Sequence, residues 1–269
     1  ILTTAFNREE LISETIGSVL CSSYENFELI IVDDNSSDKT IEVAQTYKKL
    51  DNRIKIYKNK FNLGDYPNRN KAATLAKGKY LKYLDSDDLI AKNCLERMVC
   101  EMEKNPECAF GVTSRNLNEV LIHSPMDSFR KHFFERGILD CGPSSYIIKS
   151  DIFIKEQGFK PIRWVGDLEF WLRLAKQYPL IEFETNLVKW REHEGQEIKT
   201  ENYTAVLLKY KIIKEKIEDS SLTNDEVNFI ISQYKKDISR ILLKKISKIG
   251  ISEIIKIFQK LEIRVKDIL

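Results

Sequence analysis

The run Lys79-Tyr80-Leu81-Lys82-Tyr83-Leu84-Asp85-Ser86-Asp87-Asp88 is a short β-like segment that stops abruptly in three carboxylates. Tyr80, Leu81, Tyr83 and Leu84 favour a pleated, largely buried strand. The acidic cluster then lies at the strand's carboxyl end, where open α/β sheets hold their ligands. If the strand persists, Asp85 and Asp87 aim to one face and Ser86 points away. Hard oxygen donors so placed suit Mg²⁺ or Mn²⁺ carrying a diphosphate. The same four residues also read as an ordinary strand-to-helix turn whose Asp and Ser cap the next helix. The neighbouring segments decide between the two.

Upstream, Ile1 to Thr4 closes a first strand, and Glu9 to Ser22 carries Leu11, Ile12, Ile16, Val19 and Leu20 at helical spacing, with Asn7 as its cap. Phe27 to Val32 is a β-rich run followed by the polar turn Asp33-Asp34-Asn35-Ser36-Ser37-Asp38, which opens a helix over Lys39 to Leu50. Arg53 to Tyr57 supplies a third strand. The alternation predicts a parallel sheet with right-handed crossovers. Asn62 to Asn70 reads as a loop feeding a helix from Lys71 to Lys77, stopped by Gly78. Neither GxGxxG nor GxxxxGK[ST] occurs near these strands, so dinucleotide-binding and P-loop readings lose their main support.

Downstream, a helix of about four turns runs to Asn105-Pro106 with Leu95, Met98, Val99 and Met102 inward, a stripe that reads as core. Ala109 to Ile122 has strand character, and Ser124 to Gly137 reads as a mobile or partly helical insertion. Cys141 to Ile148 turns tightly into another strand. Gly166 to Ala175 reads as a helix with acidic residues in its first turn, where its dipole favours them. Leu180 to Phe183 and Leu187 to Trp190 end the sheet region, and Arg191-Glu192-His193 closes it. The domain boundary falls near residue 200. From Glu201 the composition turns to Lys, Ile, Leu and Glu with two apolar stripes, one from Val227 to Leu242 and one from Ile254 through Val265 to Ile268. Two or three packed helices are the simplest account, docking on the first domain or forming a homo-oligomer. Their lysines open a second reading, peripheral contact with anionic lipid.

The 269 residues suffice for one large α/β domain with a smaller appendage. With 43 Lys and Arg against 41 Asp and Glu, the net charge of +2 gives no case for a nucleic-acid partner. Five cysteines without CxxC spacing argue against a disulfide framework and a zinc site. No apolar run is long enough to cross a bilayer and no basic-then-apolar leader opens the chain, so a cytoplasmic location is expected, with the inner face of the cell membrane as the alternative.

Taken in order, Thr4-Ala5-Phe6-Asn7-Arg8, Val32 to Asp38, Asn62-Leu63-Gly64 with Arg69-Asn70, Asp85 to Asp88, Gly166 to Glu169 and Arg191-Glu192-His193 resemble the family 2 glycosyltransferases, inverting nucleotide-sugar enzymes of the GT-A fold. The resemblance covers about the first 200 residues. It implies a donor site formed by Thr4, Phe6, Asn7, Asp34, Asn62, Arg69, Asp85, Ser86 and His193. Asp34 matches the position that accepts from the uracil imide, and Phe6 the position of an aromatic packed on the base. Asp85 and Asp87 match the DxD pair, with Mn²⁺ or Mg²⁺ as cofactor and Asp87 its ligand beneath the diphosphate. Asp167 matches the catalytic base, with Glu169 as alternative; the family more often has an acidic residue where this chain has Gly166. The reaction implied moves a sugar from a UDP-sugar to a glycan or lipid-linked acceptor. Arg69 also reads as a surface arginine at a helix start, His193 as a structural histidine, and Trp164, Trp171 and Trp190 as either sugar platforms or core. Against catalysis stands a noncatalytic sugar-nucleotide-binding or scaffolding protein. A nucleotidyltransferase would need a glycine-rich loop that Ile1 to Glu10 lacks.

Overall fold

In the computed structural model, residues 1–114, 117–193, 203–245 and 249–261 are described. The chain divides into two compact units, Ile1–His193 and Glu194–Leu269. In the first, three strands, β1 (Leu2–Ala5), β2 (Leu29–Asp33) and β3 (Ile54–Lys58), pair in parallel in the order β1-β2-β3. Helices α1 (Ile12–Leu20) and α2 (Thr40–Lys48) make their crossovers. These are the elements in which the apolar spacing was clearest.

The later strands pair in both directions, within the GT-A type of mostly parallel sheet that the resemblance implies. β4 (Tyr80–Lys82) joins β1 through a parallel bridge, Leu2 to Tyr83. On its other side lie, in order, β8 (Tyr146–Lys149), β6 (Phe110–Thr113), β9 (Leu180–Phe183) and β7 (Leu121–His123). Of these pairs β6 and β9 are parallel, while β8 runs antiparallel to both neighbours. Between β6 and β8 the chain passes through β7, a helical segment over residues 125–135 and a 3₁₀ turn, Pro143–Ser145, rather than the single crossover helix that makes neighbouring strands parallel. β5 (Leu89–Ile90) and β10 (Val188–Lys189) form a separate antiparallel ribbon.

Helix boundaries account for most remaining differences. α3 spans Asp65–Leu75, six residues ahead of the expected start. Gly64, at φ +83°, turns the chain into it, and Pro67 sits in the first turn, where its missing N–H has no intrahelical acceptor to lose. The helix ends through an extended Ala76, so Gly78 is not its stop. Asn7 does not cap α1. It lies at φ +52° and its side-chain oxygen accepts from the Ser37 N–H at 2.9 Å instead. Ser124 onward is helical, as α5 (Pro125–Arg130) capped by Ser124 and then a π turn over Lys131–Glu135.

Both sheet faces are covered, because successive strand side chains point to opposite sides. One face packs Ile31, Ile147, Ile181 and Phe183 against α1, α2 and α4 (Cys94–Lys104), which supplies Leu95, Met98 and Met102. The other is aromatic. Phe153 of α6 (Ser150–Lys155) lies 5.3 Å from Phe170 of α7 (Gly166–Ala175), whose Trp171 stacks on Tyr146 at 3.7 Å between ring centroids, and Phe159 lies 5.4 Å from Tyr83 and 4.7 Å from Phe170. Trp171 is fully buried in this cluster, which removes it as a sugar platform. Gly111 of β6 faces Phe183, and a Cβ there would come within 2.8 Å of that ring and 3.1 Å of the Ile181 carbonyl. Gly111→Ala is therefore expected to destabilise the chain by about 1–3 kcal/mol, read as a lower urea midpoint with unchanged slope.

The second unit contains α8 (Tyr203–Glu218), α9 (Asn224–Lys244) and α10 (Ile251–Lys260). Tyr210, Ile238, Leu242, Ile254 and Ile257 form its core. Thr223 and Glu226 close a reciprocal capping box at the start of α9. Val265 and Ile268 of the second stripe, along with Glu201 and Asn116, lie outside the described residues.

Candidate active site

Asp85, Asp87 and Asp88 do converge, but through a turn rather than a strand face. The strand pairing ends at Tyr83, and the Asp88 N–H donates to the Asp85 carbonyl at 3.0 Å, folding the chain back. One donor oxygen from each carboxylate then lies within 4.8 Å of the others. The turn is anchored at both ends. Asp85 N–H donates to Ser144 Oγ at 2.8 Å, and the buried Lys82 ammonium donates to the carbonyls of Tyr83 and Ser144. Ser86 is buried and its carbonyl accepts from the Thr15 hydroxyl at 2.9 Å. Arg191 donates to the Asp87 carbonyl and to Thr15 Oγ1, and its N–H to Asp88 Oδ1 at 3.2 Å.

Burial raises the pKa of Asp85 and of Asp88; Asp87 adds to the shift of Asp85, and Asp85 and Asp87 both add to that of Asp88. Three carboxylates held this close repel one another, and a dication relieves that repulsion. The donor set is all hard oxygen, so it fits Mg²⁺ or Mn²⁺. Asp87 Oδ2 already receives Arg8 Nε at 3.2 Å and His193 Nε2 at 2.9 Å. His193 thus touches the acidic turn directly, which a histidine serving the core alone would not do.

Arg69 is not a surface arginine. It is 7% exposed, with Nε on Asp65 at 2.7 Å and NH1 on Asp85 Oδ1 at 2.6 Å. Burial opposes its charge, and Asp65 and Asp85 together overcome that cost, so the guanidinium stays charged. One turn earlier on the same helix, Tyr66 donates its phenolic hydroxyl to Asp167 Oδ1 at 3.0 Å. Residues three apart share a helix face, so α3 connects the acidic turn to Asp167. Burial pushes the Asp167 carboxyl up to about 6, against the hydrogen bonds from Leu168 N–H and Tyr66 that favour its charge. Glu169, the alternative base, is 1% exposed and paired with Arg173 and Lys160, which fits a structural ion pair.

The loops after β1 and β2 are laced together. Asn7 N–H donates to Ser36 Oγ at 2.9 Å, Arg8 N–H to Thr40 Oγ1 at 2.7 Å, and Lys39 N–H to Glu9 at 2.8 Å. This fixes Arg8 toward Asp87 while the Phe6 ring stays 46% exposed. Asp34 is buried. Its carboxylate accepts from Asn59 Nδ2 at 2.7 Å and from the N–H groups of Leu63 and Gly64 at 2.8 and 2.9 Å, which draws the Asn62 loop beside the Phe6 loop. Asn62 accepts from Gly64 N–H at 3.0 Å, and Thr4 pairs in register with Val32.

The family model for glycosyl transferase family 2 matches residues 1–159. The chain belongs to glycosyl transferase family 2. It is therefore a glycosyltransferase by family, and its elements are those of the GT-A fold. It is 34% identical over 66% of its length, and 71% of the relative's, to TuaG of Bacillus subtilis (strain 168), a glycosyltransferase named for teichuronic acid biosynthesis. It is 30% identical over 65% of its length to WfgD of Escherichia coli, a UDP-Glc:alpha-D-GlcNAc-diphosphoundecaprenol beta-1,3-glucosyltransferase, covering 69% of that protein. Among solved structures, the mannosyltransferase PcManGT from Pyrobaculum calidifontis, in complex with GDP-Man and Mn²⁺, superposes with a TM-score of 0.69 at 13% identity, over 99% of this chain and 80% of that one. That likeness bears on fold alone.

Several residues of this family 2 site were absent from the expected set: Tyr66, Asn59, Ser144 and Lys82, with Arg8 quoted only as part of a motif. Arg8 could have been found from that motif. Tyr66 meets Asp167 across 101 positions, and its sequence hint was Gly166, the small residue in an unusual place. Among the described residues no helix is long and apolar enough to cross a membrane.

Proposed function

We propose that the chain is an inverting glycosyltransferase that moves a sugar from a UDP-sugar to a hydroxyl of a glycan or lipid-linked acceptor. The observation that carries this reading is the single helix turn linking Asp167, through Tyr66, to Asp85, through Arg69. It sets an isolated carboxylate beside an acidic turn within one body, as displacement at a sugar carbon requires. Asp167 takes the proton as the acceptor O–H bond breaks, and the oxygen's electron pair forms the new bond to the anomeric carbon. The bond from that carbon to the diphosphate oxygen breaks, and its electrons leave with the diphosphate. Attack from the face opposite the leaving group inverts the centre.

Asp85, Asp87 and Asp88 would hold Mn²⁺ or Mg²⁺, which when bound supplies electrostatic stabilisation of the departing diphosphate. Phe6 offers its ring to the nucleobase. Thr4, Asn7, Asp34 and Asn62 would complete the nucleotide side of the donor site, while Arg8, Arg69 and His193 hold the carboxylates of the acidic turn that Ser86 anchors. A UDP donor and a lipid-linked acceptor are favoured by the resemblance at Asp34 and by the reaction for which WfgD is named. Five free cysteines suit a reducing cytoplasm. Incubation with UDP-glucose or UDP-GlcNAc, Mn²⁺ and candidate lipid-diphosphate sugars is expected to release UDP and to yield a β-linked product from the α-linked donor, by NMR. EDTA is expected to stop it. An α-linked product, or release undiminished by EDTA, would count against the proposal.

A further inference from the structure

The neighbourhood of Asp167 contains a pairing that the resemblance does not account for. Tyr66 is only 4% exposed, its ring lies 5.7 Å from Phe159, and it reaches Asp167 because residue 166 has no side chain. A Cβ on Gly166 would come within 2.8 Å of the Tyr66 ring and 2.5 Å of the Lys160 carbonyl, so any larger residue there would push the ring away. Where the family more often has a second carboxylate next to the base, this chain has a gap filled by a phenol from another helix.

The chemistry of that exchange is specific. A second carboxylate would repel Asp167, whereas a neutral phenol facing an ionised carboxylate, which has no proton to give, acts as the donor. Burial, then Asp167 itself, holds Tyr66 far above its ordinary pKa, so it stays protonated at any working pH. Its hydroxyl and the Leu168 N–H, at 3.0 and 2.8 Å, both end on Oδ1 of Asp167. Two donors use the lone pairs of that oxygen, which leaves Oδ2 to meet an acceptor hydroxyl.

We infer that Tyr66 is a positioning residue for this transferase, fixing Oδ1 of Asp167 through its hydroxyl so that Oδ2 alone receives the acceptor proton, with Gly166 as the clearance that admits its ring. The inference rests on the reading of Asp167 as the base. The charged and titratable groups facing Asp167 are Asp65, Tyr66 and Arg69 from α3, and Tyr146 from β8. Of these Asp65 opposes its ionisation, while Arg69 and the Tyr66 hydroxyl favour it.

Tyr66→Phe keeps the ring and removes only the hydroxyl, so it tests the hydrogen bond with little threat to packing. In the whole chain carrying ¹³C-labelled aspartate, the resonance that disappears in Asp167→Asn identifies Asp167. Its titration midpoint is expected about one pH unit higher in Tyr66→Phe, since a donor to the charged form has gone. With UDP-glucose or UDP-GlcNAc, Mn²⁺ and a lipid-diphosphate sugar, the acid limb of kcat/KM is expected to move up equally, kcat on the alkaline plateau to fall about tenfold, and the donor KM to stay unchanged. An unmoved midpoint together with an unmoved acid limb would overturn the role given to Tyr66. Transfer surviving in Asp167→Asn would instead remove the base assignment, and the midpoint measurement would still decide whether Tyr66 holds Oδ1.

Discussion

Asp167→Asn is expected to lower turnover about a thousandfold while leaving the fold and donor binding intact, since removal of a positioned general base costs roughly 10²–10⁴ in rate. Asparagine preserves the shape. Its carbonyl oxygen can still accept from Tyr66 and Leu168, which both donate to Oδ1, so the helix start does not lose a partner. The sign of the stability effect separates this outcome from unfolding. The folded-state pKa of Asp167 is raised from 3.8 to about 6, so the folded protein holds the proton more tightly than the unfolded chain between those values. Ionised Asp167 therefore costs stability, a cost that grows as pH rises from about 4 to 6 and is complete above 6. Asn carries no such cost, and the melting temperature of the variant at neutral pH is expected to match or exceed that of the natural chain. In the natural chain, turnover is expected to fall tenfold per pH unit below about 6, as the base takes up its proton. A variant with full stability and full turnover would reassign the base.

The sequence was most readable where one element carries its own signal. α7 begins at Gly166 and ends at Ala175 as its periodicity predicts, and β9 covers Leu180–Phe183, because apolar spacing and burial coincide there. Segments whose form depends on partners far along the chain were harder to read. The start of α3 was hidden by Pro67 and by Gly64, whose N–H is held by Asp34 from 30 positions away. The direction of β8 followed from its connection rather than its composition. At the site, motif spacing brought forward the acidic turn, Asp167 and also Arg69 and His193, but not Tyr66, Ser144 and Lys82, which hold the turn and Asp167 as well. Lys82 read as an ordinary strand residue, yet it is buried and donates to two carbonyls that brace the acidic turn. Supporting contacts of this kind are set by tertiary packing and leave no period in the sequence.

The other large effect is expected at Asp87. Asp87→Asn is expected to reduce turnover by about 10²–10³, the loss typical when a preorganised electrostatic contact to a developing charge is removed. Three carboxylates converge in the turn, but they are not equivalent. Asp85 is tied to Arg69 at 2.6 Å and Asp88 to the Arg191 backbone at 3.2 Å, so each also has a structural duty. Asp87 instead faces Arg8 and His193, two side chains brought from opposite ends of the Ile1–His193 unit. Asn keeps an oxygen for Arg8 and loses the charge, so the change isolates the electrostatic role. Mn²⁺ binding gives a readout free of substrate. A ligand at a hundred times its Kd stabilises the folded state by about 2.7 kcal/mol, and that thermal upshift is expected to vanish in Asp87→Asn. His193→Ala retains all three carboxylates and is expected to keep the upshift while losing less turnover. If Asp87→Asn kept both the Mn²⁺ shift and its rate, Asp87 would be explained by its ion pairs with Arg8 and His193 alone, and the divalent ion would have to rest on Asp85 and Asp88.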